Sequence, residues 1–329
     1  MNDVTTPKRT STSRSVRQAY VVLGMHRSGT SALTRVLSLA GATLPKALMA
    51  PGADNPKGFW ESTAIADLND EILDSVDSEW DDVFALRPRP FLANFDTAFL
   101  ARAVETLEAD FGSANPIVLK DPRISILAPF WTRALREFGA DPRFIIAVRH
   151  PIEVAGSLMA RNQMPMAKSA LVWASYMIAA ERDTRDEKRV FVSYDAMLAN
   201  WREQVQRIEA QTGMPLPRMT PRTTSEIDSF LNADDRHHRA DPKSLERRRD
   251  IPAWIQSVAD WMEAAANDKN PSPKEIEALS QNLLGAEETF GTVIADSRAR
   301  FNGLKRELSE AQTVLMKNEW DIKDLQKII

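Results

Sequence analysis

The sequence predicts an α/β fold in three layers, a central parallel sheet flanked by helices, with a C-terminal helical extension. Three observations predict it. Four short apolar runs recur along the chain: 19–23 (AYVVL), the centre of NPIVLKDPR (115–123), 144–148 and 190–192. Such runs read as strands buried on both faces of a parallel sheet. Segments of helical periodicity separate them, and strands alternating with helices argue for parallel pairing. Charged residues then stand at the carboxyl ends of the runs, where open α/β sheets bind their ligands.

The elements follow in order. After 19–23 comes a helix over 31–40, with Leu33, Val36, Leu37 and Ala40 on one face and Gly41 as its stop. Pro45, Pro51, Gly52, Pro56 and Gly58 make 45–60 a loop. Helices are predicted over 62–76, where Ile65, Leu68, Ile72 and Leu73 are in register, and over 96–111, 124–138, 152–161 and 168–184. Trp173 and Tyr176, within the last of these, are read as core. Asp195, after the strand at 190–192, is expected to cap a helix over 196–210. Beyond about residue 222 the chain turns polar, then helical over 251–290. From 298 onward Phe301, Leu304, Leu308, Ala311, Leu315, Asn318, Ile322, Leu325 and Ile329 alternate in steps of three and four. That is a heptad seam with one polar place, and it predicts a coiled coil. The pattern reaches the last residue without a capping signal, so a longer chain is expected.

The domain organisation read from this is a Ser/Thr/Arg-rich, disordered tail over 1–17, a globular domain over 18–290, and an amphipathic coiled-coil helix over 291–329. A net charge of −4 argues against a general nucleic-acid binder. The absence of cysteine excludes disulfides, thiolate metal sites and cysteine nucleophiles, and fits a reducing, cytoplasmic location. No apolar run has the length of a membrane span, and the N-terminus has no signal-peptide core.

The chemistry begins at GMHRSGTS (24–31). A glycine turn between a strand and a helix presents backbone N–H groups, and the helix N-terminus adds its dipole; both favour an anion. Thr30 and Ser31 add hydroxyls. Thr30 stands where an ATPase loop of this shape carries lysine, and Arg27 supplies a permanent forked cation instead. The fold class is therefore a P-loop-like α/β domain. A second constellation is RHPIEVAGS (149–157): Arg149 ends a strand, and Ser157 lies two turns into the following helix. Together they are suited to gripping one phosphate.

In this order the two motifs resemble the nucleotide-dependent sulfotransferase family, whose donor is 3'-phosphoadenosine 5'-phosphosulfate. The resemblance covers about 18–215. It implies that Arg27, Ser28, Gly29, Thr30 and Ser31, with His26 beside them, bind the 5'-phosphosulfate, and that Arg149 and Ser157 bind the 3'-phosphate. Lys120-Asp121-Pro122 resembles a segment of tyrosylprotein and carbohydrate sulfotransferases in which a lysine contacts the transferring group. Two departures stand out. His26 occupies a place where proline is usual, and the C-terminal Arg-Lys-Gly loop of many members is absent. The polar stretch 234–239 (DDRHHR) is read as a solvated charge run rather than its replacement.

The reaction implied is in-line transfer of a sulfuryl group to an acceptor hydroxyl, leaving adenosine 3',5'-bisphosphate. Arg27 and Lys120 would face the charge that grows on the leaving oxygen, so the arrangement calls for no metal. Glu61, after the Pro/Gly loop, is the candidate base, with Asp54 and His26 in reserve and His150 positional. Phe59 and Trp60 flank Glu61 and are read either as pocket wall or as packing. Bacterial relatives point to a sugar or glycan acceptor, with protein tyrosine and small metabolites left open. Two other readings stay open: a P-loop phosphotransferase or hydrolase, for which Asp121 would imitate a magnesium carboxylate, and a non-catalytic protein that oligomerises through 298–329.

Overall fold

The structure, a computed structural model, describes residues 16–52, 55–84, 97–231, 245 and 247–326, with side chains as far as 317. Asp54 and the stretch 234–239 lie outside the described residues.

Four parallel strands form the sheet among the described residues: β1 (Arg17–Leu23), β2 (Ile117–Lys120), β3 (Ala140–Val148) and β4 (Arg189–Ser193), in the order β2-β1-β3-β4. β1 therefore lies inside the sheet, with Val22 opposite Lys120 on one side and Ile145 on the other. It begins at Arg17, inside the stretch expected to be tail. The Arg17 N–H donates to the Gly139 carbonyl and its guanidinium lies 4.2 Å from the Phe138 ring centroid. β3 is longer than the apolar run 144–148. Asp141, Pro142 and Arg143 lie outside the apolar run, yet Pro142 pairs with Ala19 in register.

The helices are α1 (Thr30–Leu39), α2 (Thr63–Asp74), α3 (Thr97–Phe111), α4 (Ala128–Glu137), α5 (Pro151–Asn162), α6 (Met166–Asp183), α7 (Tyr194–Thr212), α8 (Pro221–Phe230), α9 (Trp254–Ala266) and α10 (Pro273–Gln326). Strand side chains alternate between two faces, as a period of two requires. Val21, Leu119, Phe144 and Ile146 join one apolar cluster with α2 to α6, α9 and the first turns of α10. Tyr20, Val22, Val118, Ile145 and Val190 join the other with α1, α7 and α8. The three layers are thus helices, sheet, helices. Trp173 and Tyr176 are fully buried, as expected of core.

Three local expectations are corrected. The helix expected over 124–138 is broken: a 3₁₀ turn, Pro122–Ser125, precedes α4. Asp121 caps that turn, accepting from the Arg123 N–H at 2.8 Å, and Pro129 opens α4 afresh. Asp195 does not cap α7. Ser193 does, accepting from the Ala196 N–H, because the helix starts at Tyr194 and places Asp195 inside its first turn. The helical region 251–290 is two helices, and the second, α10, runs unbroken across the 290/291 boundary. On it Phe301, Leu304, Leu308 and Leu315 are all exposed. The side chains of Asn318, Ile322, Leu325 and Ile329 lie outside those described. No described helix is long and apolar enough to cross a membrane.

Candidate functional site

The carboxyl ends of β1, β2, β3 and β4 open on a cavity of about 220 Å³. His26, Arg27, Gly29, Thr30, Ser31, Glu61, Lys120 and Arg149 line it. Residues far apart in the chain meet here because parallel strands deliver their carboxyl ends to one edge.

The loop 24–29 is shaped by its glycines. Gly24 has φ +136°, and a Cβ there would lie 2.9 Å from the Ala147 carbonyl oxygen of β3. Its N–H donates to Ser125 Oγ at 2.9 Å, which ties the loop to the turn after β2. Gly29 has φ +85°, and a Cβ there would meet the Tyr194 ring at 2.2 Å. Gly29 also caps α1 without a side chain, so the first-turn N–H groups of α1 keep their capacity for an anion. Arg27 itself takes a left-handed conformation, φ +68°. Such strain in a non-glycine residue costs about 1–3 kcal/mol and persists where the surroundings fix it.

Those surroundings are the second motif. Arg27 Nε donates to Ser157 Oγ at 2.8 Å, and Arg149 Nη1 donates to the Arg27 carbonyl at 2.9 Å. Arg149 is held in turn by buried Glu153, 3.0 Å away, and lies 4.8 Å from the Tyr194 ring centroid. His150 is positional: it caps α5, its Nδ1 accepting from the Ile152 N–H. Ser157 does not line the cavity but stands behind Arg27. Ser28 is also behind the wall, fully buried, with a hydroxyl that has no partner among the described residues.

The third side is the loop 55–61. Lys120, at the end of β2, is almost fully buried; its ammonium donates to the Glu61 carboxylate, to Ser31 Oγ at 3.1 Å and to the Phe59 carbonyl at 3.1 Å. Asn55 Nδ2 reaches the Gly58 carbonyl at 2.7 Å and Ser31 Oγ at 3.4 Å. Phe59 and Trp60 both line the cavity, and Arg35 of α1 lies 4.5 Å from the Trp60 ring centroid. Burial pushes the Glu61 carboxyl above its ordinary range; Lys120 pulls it back and Asp121 pushes it up again. The His26 imidazole is held well below its ordinary value, first by burial and then by Arg123, Arg161, Lys120 and Arg27. It is therefore neutral near pH 7. Its Nε2 has no partner among the described residues.

The cavity wall carries the cations Arg27, Lys57, Lys120, Arg149 and Arg161 against the carboxylate of Glu61. A space with this lining is suited to a polyanion, and among the described residues Glu61 is the one carboxylate that lines it. Asp121 does not supply a second: it is engaged by Arg123, at 2.8 Å. Sequence reasoning missed Asn55, Lys57, Arg161, Tyr194, Leu198, Phe230 and Leu231. Two signals were available. Tyr194 follows the carboxyl end of β4, and Arg161 lies one turn beyond Ser157 on α5. Phe230 and Leu231 close the wall from α8 and carry no comparable signal.

A model described as the sulfotransferase family matches residues 20–218, more than half of the chain. No curated protein matches it in sequence. Among solved structures the chain is similar to the sulfotransferase domain from the Synechococcus PCC 7002 olefin synthase, with 17% identity, 81% of this chain and 94% of that chain covered, and a TM-score of 0.40. It is also similar to the sulfotransferase domain from the curacin biosynthetic pathway, with 15% identity, coverages of 81% and 97%, and a TM-score of 0.40.

Proposed function

The chain belongs to the sulfotransferase family, and on that premise we propose that it transfers the sulfuryl group of 3'-phosphoadenosine 5'-phosphosulfate to an acceptor hydroxyl. The observation that carries the reading is the meeting of Arg27, Lys120, Arg149 and Glu61 in one cavity at the N-terminus of α1. Arg27, the α1 amides, Thr30 and Ser31 are suited to the 5'-phosphosulfate. Arg149 would hold the 3'-phosphate, with His26 in the loop beside it; Ser157, behind the wall, would serve that hold by fixing Arg27, and buried Ser28 by its place in the loop. The fit is chemical: a glycine loop packed too closely on Ala147 and Tyr194 for side chains at Gly24 and Gly29, an α1 N-terminus with no side-chain cap, and a cation-rich wall.

Glu61 would take the proton of the acceptor hydroxyl as its oxygen bonds to sulfur. The bond between sulfur and the 5'-phosphate oxygen breaks at the same time, and a sulfate ester and adenosine 3',5'-bisphosphate leave. Lys120 and Arg27 face the charge that grows on the leaving oxygen, which is where preorganised cations lower the barrier most. The side-chain cations supply this without a metal. A sugar or glycan acceptor fits a wall that mixes Asn55 with Phe59 and Trp60. We place the reaction in the cytoplasm, in keeping with a chain that has no cysteine. The exposed heptad residues of α10 support pairing with a second copy or another domain.

The test is calorimetry with adenosine 3',5'-bisphosphate in EDTA, with ADP and ATP as controls. The bisphosphate should bind without metal and ADP about 10- to 100-fold more weakly, the worth of one charge-assisted phosphate contact. Arg149→Ala should erase that gap. Tightest binding of ATP, and only with magnesium, would overturn the reading.

A further inference from the structure

The C-terminal helix touches the site through one loop. Arg298 of α10 pairs with Asp82 at 2.7 Å, and its other Nη donates to the Asp77 carbonyl. One turn on, Asn302 donates to Glu79. Asp82 is itself the knot of that loop: one carboxylate oxygen accepts from Ser78 Oγ at 2.8 Å and the other from the Phe84 N–H at 3.0 Å. Asp82 is 4% exposed on its side chain and Arg298 22%. Breaking a pair buried this far leaves an uncompensated charge, so the contact is a strong constraint.

Trp80 sits inside the knotted loop. Its carbonyl accepts from the Tyr176 hydroxyl at 2.6 Å, which anchors it to the core. Its ring meets the His26 ring edge-on, centroids 4.8 Å apart, and the Arg161 guanidinium lies 5.6 Å from its centroid. His26 and Arg161 both line the cavity; Trp80 stands behind them. A chain of contacts thus runs from α10 through the 77–82 loop to the anion loop. It starts at residue 298, far outside the span 20–218 that matches the family.

We propose that Arg298 is a positioning residue of the donor site: from the C-terminal helix it fixes the 77–82 loop so that Trp80 backs His26 and Arg161. This rests on the reading of the cavity as the donor site. The helix beyond the matched span is then part of the site's support, and a change in α10 reaches the cavity through an ion pair.

The experiment follows the histidine ring signals by heteronuclear NMR in the full chain, with the His26 signal assigned from His26→Gln. The ring current of Trp80 falls on His26, so Arg298→Ala should shift that signal and weaken adenosine 3',5'-bisphosphate by about 2- to 30-fold, the range of coupling through a remote residue. Arg298→Lys, which keeps a cation toward Asp82, should restore part of both. Arg300→Ala, which removes an exposed pair with Asp296 on the same helix, should change neither. If Arg298→Ala does not fold, Asn302→Ala removes the outer contact alone and should give smaller changes of the same kind. A His26 signal that stays put, or one that moves while bisphosphate affinity holds, overturns the proposal. If the wild type binds no bisphosphate, the donor reading fails, and the His26 signal alone decides whether Arg298 positions Trp80.

Discussion

Two walls of the cavity are built in opposite ways. Residues 24–29 are fixed by backbone: glycines at positive φ, a turn too close to β3 and Tyr194 for any Cβ, and an anchoring hydrogen bond to Ser125. Residues 55–61 have backbone bonds of their own, such as the Gly58 N–H to the Asn55 carbonyl, but are tied to the sheet chiefly by a side chain, the ammonium of Lys120 reaching Glu61, Ser31 and Phe59. The backbone wall takes its turns from glycine, and one charged contact, Arg149 to the Arg27 carbonyl, braces it. The side-chain wall depends on a buried ion pair, Lys120 with Glu61, whose members are also the ones we propose for the chemistry. A loop of the first kind tolerates loss of a functional side chain. In the second, function and stability fall together.

The largest effects should therefore come from the Lys120–Glu61 pair. Lys120→Met strands a buried carboxylate and should cost about 3–5 kcal/mol of stability. It should also lower kcat by roughly 100- to 1000-fold, as loss of one oxyanion donor does. Glu61→Gln should lower kcat by about 100- to 10,000-fold, the share of a general base. The pH dependence separates the two roles. The raised pKa of Glu61 means that its ionised form appears only above the ordinary value of 4.5. The acid limb of kcat/KM should lie above that value in the wild type and vanish in Glu61→Gln. Stability should run the other way. A carboxyl raised on folding contributes stability below 4.5 and loses it as pH rises through the folded value. Thermal melts and rate profiles over the same pH range test both; a limb that survives in Glu61→Gln would remove Glu61 as the base.

Next in size is a break in the backbone wall. Gly29→Ala would impose a left-handed alanine and drive its Cβ into the Tyr194 ring, 2.2 Å away. We expect a loss of about 2–3 kcal/mol by denaturant unfolding. In a Tyr194→Ala background the collision disappears and about 1–2 kcal/mol of conformational strain should remain. Equal losses in both backgrounds would mean that the ring does not set this wall.

This contrast also explains what could be read from the sequence. The anion loop, the strand-end positions of Lys120 and Arg149 and the sheet itself were legible, because glycine placement and apolar runs are local signals. The Arg27–Ser157 contact was foreshadowed only as two motifs that share one ligand. What was hidden depended on distant side chains. Nothing near Trp80 announces that Asp82 will meet Arg298, and nothing at Phe230 announces a cavity wall. Asp195 was misread because two residues able to cap stand two apart, and the helix began early enough to use Ser193. The first half of β3 was hidden by Asp141-Pro142-Arg143, whose pairing is imposed by the neighbouring β1 rather than by its own composition.

The smallest expected effect is the sharpest test of the comparison. Arg35 reaches from α1 to the Trp60 ring at 4.5 Å, a side-chain tie between the two walls. Arg35→Ala should cost only about 0.5–1 kcal/mol. If the 55–61 wall rests on side chains, losing even this tie should speed amide hydrogen exchange at Gly58 to Glu61. The amides of Ser28 to Ser31 should be unchanged, because glycine conformation and the sheet hold them. Exchange that quickens equally in both segments would show one cooperative unit, and the distinction between a backbone wall and a side-chain wall would fall. Exchange confined to 58–61 would mean that the Glu61 side of the cavity can loosen while the glycine loop stays formed, as the proposed reaction requires if a donor is held while acceptors exchange.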